Sequence, residues 1–135
     1  MSNPQHVQLA LEALAPAGRT FYADEAPGGA EAPWVVGSLQ IPASILAETG
    51  SHGGVARWRV TISGATAAQA RVVAQECLDA WSEARVSLDG WTVGALRHKT
   101  VTGPYAAGMT ETDTDLRFQV VHLGFDLTVS RTPTA

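Results

Sequence analysis

Val55-Ala56-Arg57-Trp58-Arg59-Val60-Thr61-Ile62-Ser63 alternates apolar with polar residues, and a helical pattern from Thr66 to about Arg85 follows it at once. Ala56, Trp58, Val60 and Ile62 fall on one face, and Arg57, Arg59, Thr61 and Ser63 on the other. That period of two is what a strand imposes, so the stretch reads as a half-buried sheet member. Ser63-Gly64-Ala65 turns the chain. Thr66-x-x-Gln69 then has the capping-box pattern, and Ala70, Val73, Ala74, Cys77, Leu78 and Trp81 supply the buried stripe of a helix. Twenty residues give a rod of ~30 Å, so the helix is expected to lie along most of the domain.

The remaining segments add sheet, or cover for it. Asn3-Pro4 suits a helix start, with Asn as N-cap and Pro in the first turn. Val7, Ala10, Leu11 and Leu14 then form one apolar stripe, and Pro16 and Gly18 end it. Arg19 to Ala23 reads as a short strand, 24–33 as a loop, and Trp34 to Leu39 as a second strand that Pro42 keeps short. No period survives from Pro42 to Gly54, whose Gly-Ser-His-Gly-Gly end is loop chemistry. Leu88-Asp89-Gly90-Trp91 reads as a turn, strand pattern resumes over Thr92–Val101, and Thr102-Gly103-Pro104 is expected to stop it. A polar loop to Asp115 follows.

Leu116 to Ser130 is the longest strand signal. Phe118 and Val120 share one phase, whereas Val121, Leu123, Phe125, Leu127 and Val129 share the other, which predicts a bulge between Val120 and Val121 or a bend at Gly124. Drawn straight it spans ~50 Å, against ~36 Å for a globule of this size. It therefore bends, or the hairpin it makes with Thr92–Val101 projects and needs a neighbour to cover its edge. The tail Arg131-Thr132-Pro133-Thr134-Ala135 is expected to be loose. The fold class is α+β: one domain over residues 1–135, a twisted, mainly antiparallel sheet with two helices on one face and a long C-terminal β-hairpin.

Composition narrows the chemistry. Thirteen acidic against nine basic residues give a formal charge of −4, which disfavours tight binding to nucleic acid but lets DNA pass close by without sticking. One cysteine leaves neither an internal disulfide nor a thiolate zinc cluster. Buried in its helix stripe, Cys77 reads as a small core hydrophobe. The polar N-terminus lacks signal-peptide character, and no run reaches the ~18 apolar residues that cross a bilayer, so a cytoplasm-like site of synthesis and no membrane partner are expected. His6, His52, His98 and His122 show no metal-ligand spacing, although His98 and His122 could be cross-strand neighbours. The nucleophile elbow, the P-loop and the dinucleotide fingerprint are missing. The acids Glu111, Asp113 and Asp115 lack the Gly and Glu of a calcium loop. No enzyme activity, cofactor, metal or catalytic residue is expected.

Arg57 and Arg59 share a strand face, and Arg97 and Lys99 are spaced alike on another strand. Together they suggest a basic strip for an acidic partner or a neighbouring subunit, since helices cover only one face of the sheet.

The order of elements carries a resemblance. A Leu- and Ala-rich helix, a short strand and an acidic Pro-containing loop precede Ala32-Pro33-Trp34-Val35-Val36. A variable loop, the Arg57-Trp58-Arg59-Val60 strand, the Ala-rich helix, Leu88-Asp89-Gly90-Trp91-Thr92-Val93 and a final hairpin follow. Over nearly its whole length the chain resembles the tail terminator, or tail-completion, family of long-tailed bacteriophages. The resemblance implies a structural virion protein at the head-proximal end of the tail, assembled in the host cytoplasm. It also implies a homo-oligomer, a hexameric ring that ends tail-tube polymerisation, joins the head–tail connector and lets DNA through its lumen. On exposure and pattern, Arg57, Arg59, Arg97 and Lys99 are assigned to a subunit contact. His52, Tyr105, Glu111, Asp113 and Asp115, in the loops 42–54 and 102–115, are assigned to contacts with tube or connector. Two rival readings are another connector or stopper protein of the same region and a monomeric ligand-binding α+β domain with an apolar cavity near Trp34 and Trp58.

Overall fold

The computed structural model describes residues 5–28, 31–41, 54–106 and 118–131. Among them are two helices, α1 (Gln5–Glu12) and α2 (Ala67–Trp81), and six strands: β1 (Thr20–Ala23), β2 (Trp34–Gln40), β3 (Gly54–Gly64), β4 (Trp91–Val93), β5 (Arg97–Ala106) and β6 (Gln119–Arg131). The strands form one mixed sheet in the order β1-β2-β3-β6-β4, with β5 pairing β6 beside β4. Only β1 and β2 run parallel; every other pair is antiparallel. The α+β architecture with a β5–β6 hairpin is the one the residue pattern implies.

The apolar phase of β3 builds the core. Ala56, Trp58, Val60 and Ile62 are completely buried, and they pack with Val7 and Leu11 of α1 and with Ala70, Val73, Cys77 and Trp81 of α2 in one cluster. Both helices therefore lie on one face of the sheet. Trp81 joins them, its indole Nε1 donating to the Leu11 carbonyl at 2.9 Å. Phe21 stacks on Trp58 at 6.3 Å between ring centroids, and Trp81 meets Trp58 edge-on at 5.6 Å. Gly37 makes room for this: a Cβ there would lie 2.4 Å from the Trp58 ring and 2.6 Å from Phe21. The helix start follows the capping pattern, with Thr66 Oγ1 accepting from Gln69 N at 3.1 Å. Gln69 Oε1 reaches back to Ala65 N, one residue before the cap, at 2.7 Å.

Four expectations need correction. The second helix ends at Trp81, not Arg85, because Glu83 takes a left-handed φ of 61°. Glu83 N and Ala84 O then bond to Leu96 O and N, at 2.8 and 2.9 Å. The predicted strand Thr92–Val101 is two strands, since Gly94 to Leu96 leave the ladder and bury Leu96. Nor does Thr102-Gly103-Pro104 stop β5, which runs to Ala106. As an edge strand it can spare the proline's missing N–H, and it takes up the irregularity as register shifts between His98 and Thr100 and between Thr102 and Tyr105. Finally, β6 has no bulge at Val120–Val121. Its register with β3 is unbroken from Gly54↔Val129 to Gly64↔Gln119.

The change of phase in β6 has another cause, which is burial on both faces. Val121 faces the helices. On the opposite face Trp34, Ser63 and Val120 are successive register partners, and Phe118 packs edge-on against Trp34 at 4.8 Å. Ser63 and Val120 are consequently only 6% and 7% exposed.

Candidate functional site

Away from the Trp34–Phe118 end, the second face of the sheet carries the polar phase of β3 and β6, and the register places its charges in rows. Asp126 of β6 lies between Arg57 of β3 and Arg97 of β5. Arg57 Nε approaches Asp126 Oδ1 at 3.8 Å, with the arginine side chain 65% exposed. One rung along, Gly124 separates Arg59 from Thr100. The missing side chain lets Thr100 in, since a Cβ on Gly124 would lie 2.5 Å from Thr100 Oγ1. The next rung holds Thr61, His122 and Thr102.

His122 ties three strands together. Its Nδ1 is hydrogen-bonded to Thr61 Oγ1 of β3 at 3.0 Å, and its Nε2 to the Tyr105 hydroxyl of β5. A neutral imidazole donates through one nitrogen and accepts through the other, and a hydroxyl suits either role. Tyr105 also tilts against the imidazole with 5.6 Å between ring centroids. Arg57, Arg59, Thr61, Lys99, Thr100, His122 and Asp126 line an open groove of about 790 Å³ over these rows. A second recess of about 350 Å³, lined by Arg97, Arg85 and Val55, adjoins it and shares Lys99 and Asp126. Exposed apolar side chains stand beside the groove, Val55 in the second recess and Tyr105 against His122, 51% and 43% exposed.

The four basic residues singled out in the sequence are thus gathered on one face, which the described helices leave open. Among the described residues lining the two recesses, Asp126 is the single acid facing five bases. Tyr105 lies in strand β5, not in a loop, because the strand passes through Pro104. His52, Glu111, Asp113 and Asp115 lie outside the described residues, as do most of the two loops that hold them. His98 and His122 are not cross-strand partners: His98 is opposite Phe125 and His122 opposite Thr102, on different faces. Trp34 and Trp58 also face opposite sides of the sheet, Trp34 beside Phe118 and Trp58 in the core, so they share no cavity. His122, Gly124 and Asp126 were legible as the polar phase of the last strand, opposite Leu123, Phe125 and Leu127. Their meeting with Arg57 and Arg59 needed the register.

Away from this face, Cys77, Arg19, Glu76 and Glu12 belong to the packing of the helices on the sheet. Burial, then the neighbouring Glu76 charge, pushes the Cys77 thiol up to about 12, so it is a poor nucleophile. Arg19 grips Glu76 with two bonds of 2.7 Å, linking the start of β1 to α2. That hydrogen bonding holds the Glu76 carboxyl below its ordinary value. Burial, helped by Asp24, raises Glu12, whose Oε2 is enclosed without a hydrogen-bond donor. Among the described residues no group of three His, Cys, Asp or Glu side chains is assembled to hold a metal. None of the described helices is long and apolar enough to cross a membrane.

No family model and no curated protein matches the chain. A solved structure described as the virion of a native gene transfer agent particle contains a chain of similar fold. The TM-score is 0.62 at 18% identity, and the match covers 93% of each chain.

Proposed function

We propose that this chain is a structural subunit of a phage-like virion, a ring-forming tail terminator that caps the tail tube and joins it to the head connector. The observation that carries this reading is the end-to-end likeness to a chain of a gene transfer agent virion, with 93% of both chains superimposed. A likeness over the full length of both chains concerns the whole domain rather than one shared motif. The open face agrees with it. Arg57, Arg59, Arg97 and Lys99 stand on the same face as exposed Val55 and Tyr105, a mixture suited to a subunit contact with polar rim and apolar anchors. In this reading the net charge of −4 lets DNA traverse the ring without adhering, and Tyr105 and the loop residues His52, Glu111, Asp113 and Asp115 meet tube or connector.

Absolute mass in solution across a concentration series is the first test, followed by negative-stain imaging. A ring, six-fold by the family resemblance, or a monomer–ring equilibrium is the expected result; a strict monomer both alone and on tube tips refutes it. The same fold likeness also fits a connector or stopper protein. Added to polymerising tube protein, a terminator fixes tube length at substoichiometric amounts, whereas a connector leaves it uncontrolled.

A further inference from the structure

We propose that the recess beside Gly94 and Ala95 is a binding site for a phosphate monoester. The inference goes beyond the virion reading and does not rest on it.

Three departures from regular structure converge on this recess, and each brings a base or a donor to it. Glu83, with its left-handed φ of 61°, takes the chain out of α2. Leu96 N then donates to Ala84 O at 2.9 Å, which sets Arg85 beside the start of β5. Gly94 to Leu96 leave the ladder between β4 and β5. Gly94 N donates to Thr128 O at 2.9 Å, and a Cβ on Gly94 would overlap Thr128 Oγ1, so glycine lets the crossing pass this close to β6. The third departure is the register shift between His98 and Thr100, which makes Lys99 the extra residue of a bulge. Bulges of this kind re-aim a side chain beside a site. Arg85, Arg97 and Lys99 consequently ring one concavity of about 350 Å³, with Ala95, Thr128 and Val55 in its lining.

Charge and donors select the ligand. Among the described residues the recess holds one acid, Asp126, against three bases. The ion pair that Asp126 makes is with Arg57, which is not in this lining. Two positive charges are left over, about the charge that a phosphate monoester carries with opposite sign at pH 7. Guanidinium groups present forked N–H donors that fit phosphate oxygens in pairs. The Thr128 hydroxyl is a further donor, and the Ala95 amide has no acceptor among the described residues. A carboxylate, with its single charge and two oxygens, leaves donors and charge unmatched. Val55, 51% exposed, offers an apolar wall to the organic part of an ester, which favours a monoester over bare phosphate.

Thymidine monophosphate, titrated into the full chain while the amide resonances of Ala95, Arg97 and Thr128 are followed, tests this. Saturable shifts are expected, and none with thymidine. Arg85 and Arg97 are both exposed, so their variants keep the fold. Arg85→Gln and Arg97→Gln should each weaken binding about tenfold, the effect of losing one charge-assisted hydrogen bond. Arg59 stands four residues along β3 from Val55, ~13 Å away. Arg59→Gln should therefore change the affinity by no more than about twofold at 0.15 M salt, where the screening length is ~8 Å. No shift at millimolar ligand overturns the proposal, and so does binding that survives loss of both Arg85 and Arg97. A loss in the Arg59 variant as large as in the Arg85 variant also overturns it, because that marks a general attraction of anions to the basic face. Oligothymidylate lacking terminal phosphates separates the two sources of a phosphate group. It is expected to bind more weakly than the monophosphate; tighter binding with the same arginine dependence makes the ligand a nucleic-acid backbone, and the monoester assignment fails. Solution mass is measured alongside: a strict monomer that binds the monophosphate refutes the ring and leaves this inference standing.

Discussion

The two faces of the sheet are built from the same strands and differ in almost everything else. On the helix side, β3 contributes Trp58, Val60 and Ile62 to an interior sealed by α1 and α2. On the other side the same strand offers Arg57, Arg59 and Thr61 to an open groove. A stable core requires only one covered face. The other is free to take on a different task, and here it concentrates positive charge in a chain that is acidic overall. On the function proposed above, stability resides on one face and recognition on the other, and substitutions should separate the two.

The largest stability effect is expected at Trp81→Ala. It removes a fully buried ring and its hydrogen bond to Leu11, and should cost about 3–5 kcal/mol in urea unfolding. A loss below about 1 kcal/mol would break the assignment of stability to the helix side. Gly37→Ala comes next. Its new Cβ would meet the Trp58 ring at 2.4 Å, and overpacking of that kind costs about 1–3 kcal/mol.

Two acids on the helix side sharpen the comparison through pH. Glu12 is raised in the folded protein from 4.5, so the folded state binds its proton more tightly than the unfolded chain does. Its contribution is therefore favourable at low pH and is lost as pH rises through the folded value. Glu12→Gln should be more stable than the wild type at pH 7, with the advantage gone below about pH 4. Glu76 is lowered from 4.5 by Arg19, so its contribution is present above the unfolded value and lost as pH falls through the folded one. Glu76→Gln should therefore lose stability at pH 7 and converge with the wild type in acid. Unfolding curves at matched ionic strength from pH 3 to 8 check both signs, and identical pH profiles for the two variants would contradict the assignment.

The smallest effect on stability belongs to the open face. Arg59→Gln should leave unfolding within about 0.5 kcal/mol of the wild type while weakening self-association in light scattering. A variant that assembles normally but unfolds easily would reverse the roles given to the two faces.

Much of the covered face was legible from residue order alone. The alternation in β3, the stripe from Ala70 to Trp81 and the turn at Gly90, with its φ of 85°, are local patterns that burial enforces every second or every third to fourth residue. The open face was half legible. Arg57 and Arg59 announce a polar face, and Arg97 and Lys99 a second basic stretch, but nothing local states that they adjoin. Predicted boundaries failed where a tertiary contact outweighed local preference. Glu83 and Ala84 leave the helix for Leu96, and β5 continues through Pro104 because its outer edge needs no donor. The phase change at Val120–Val121 looked like a bulge because one strand cannot reveal that both its sides are covered.

By itself, then, the sequence determined the fold class, the central strand–helix unit and the aromatic core. These follow from periodicity and from the hydrophobic effect acting on near neighbours in the chain. Only the tertiary structure decided that Asp126 stands between Arg57 and Arg97 and that His122 meets both Thr61 and Tyr105. Strand register is a property of pairs of segments. A slip of one residue would carry every one of these side chains to the other face.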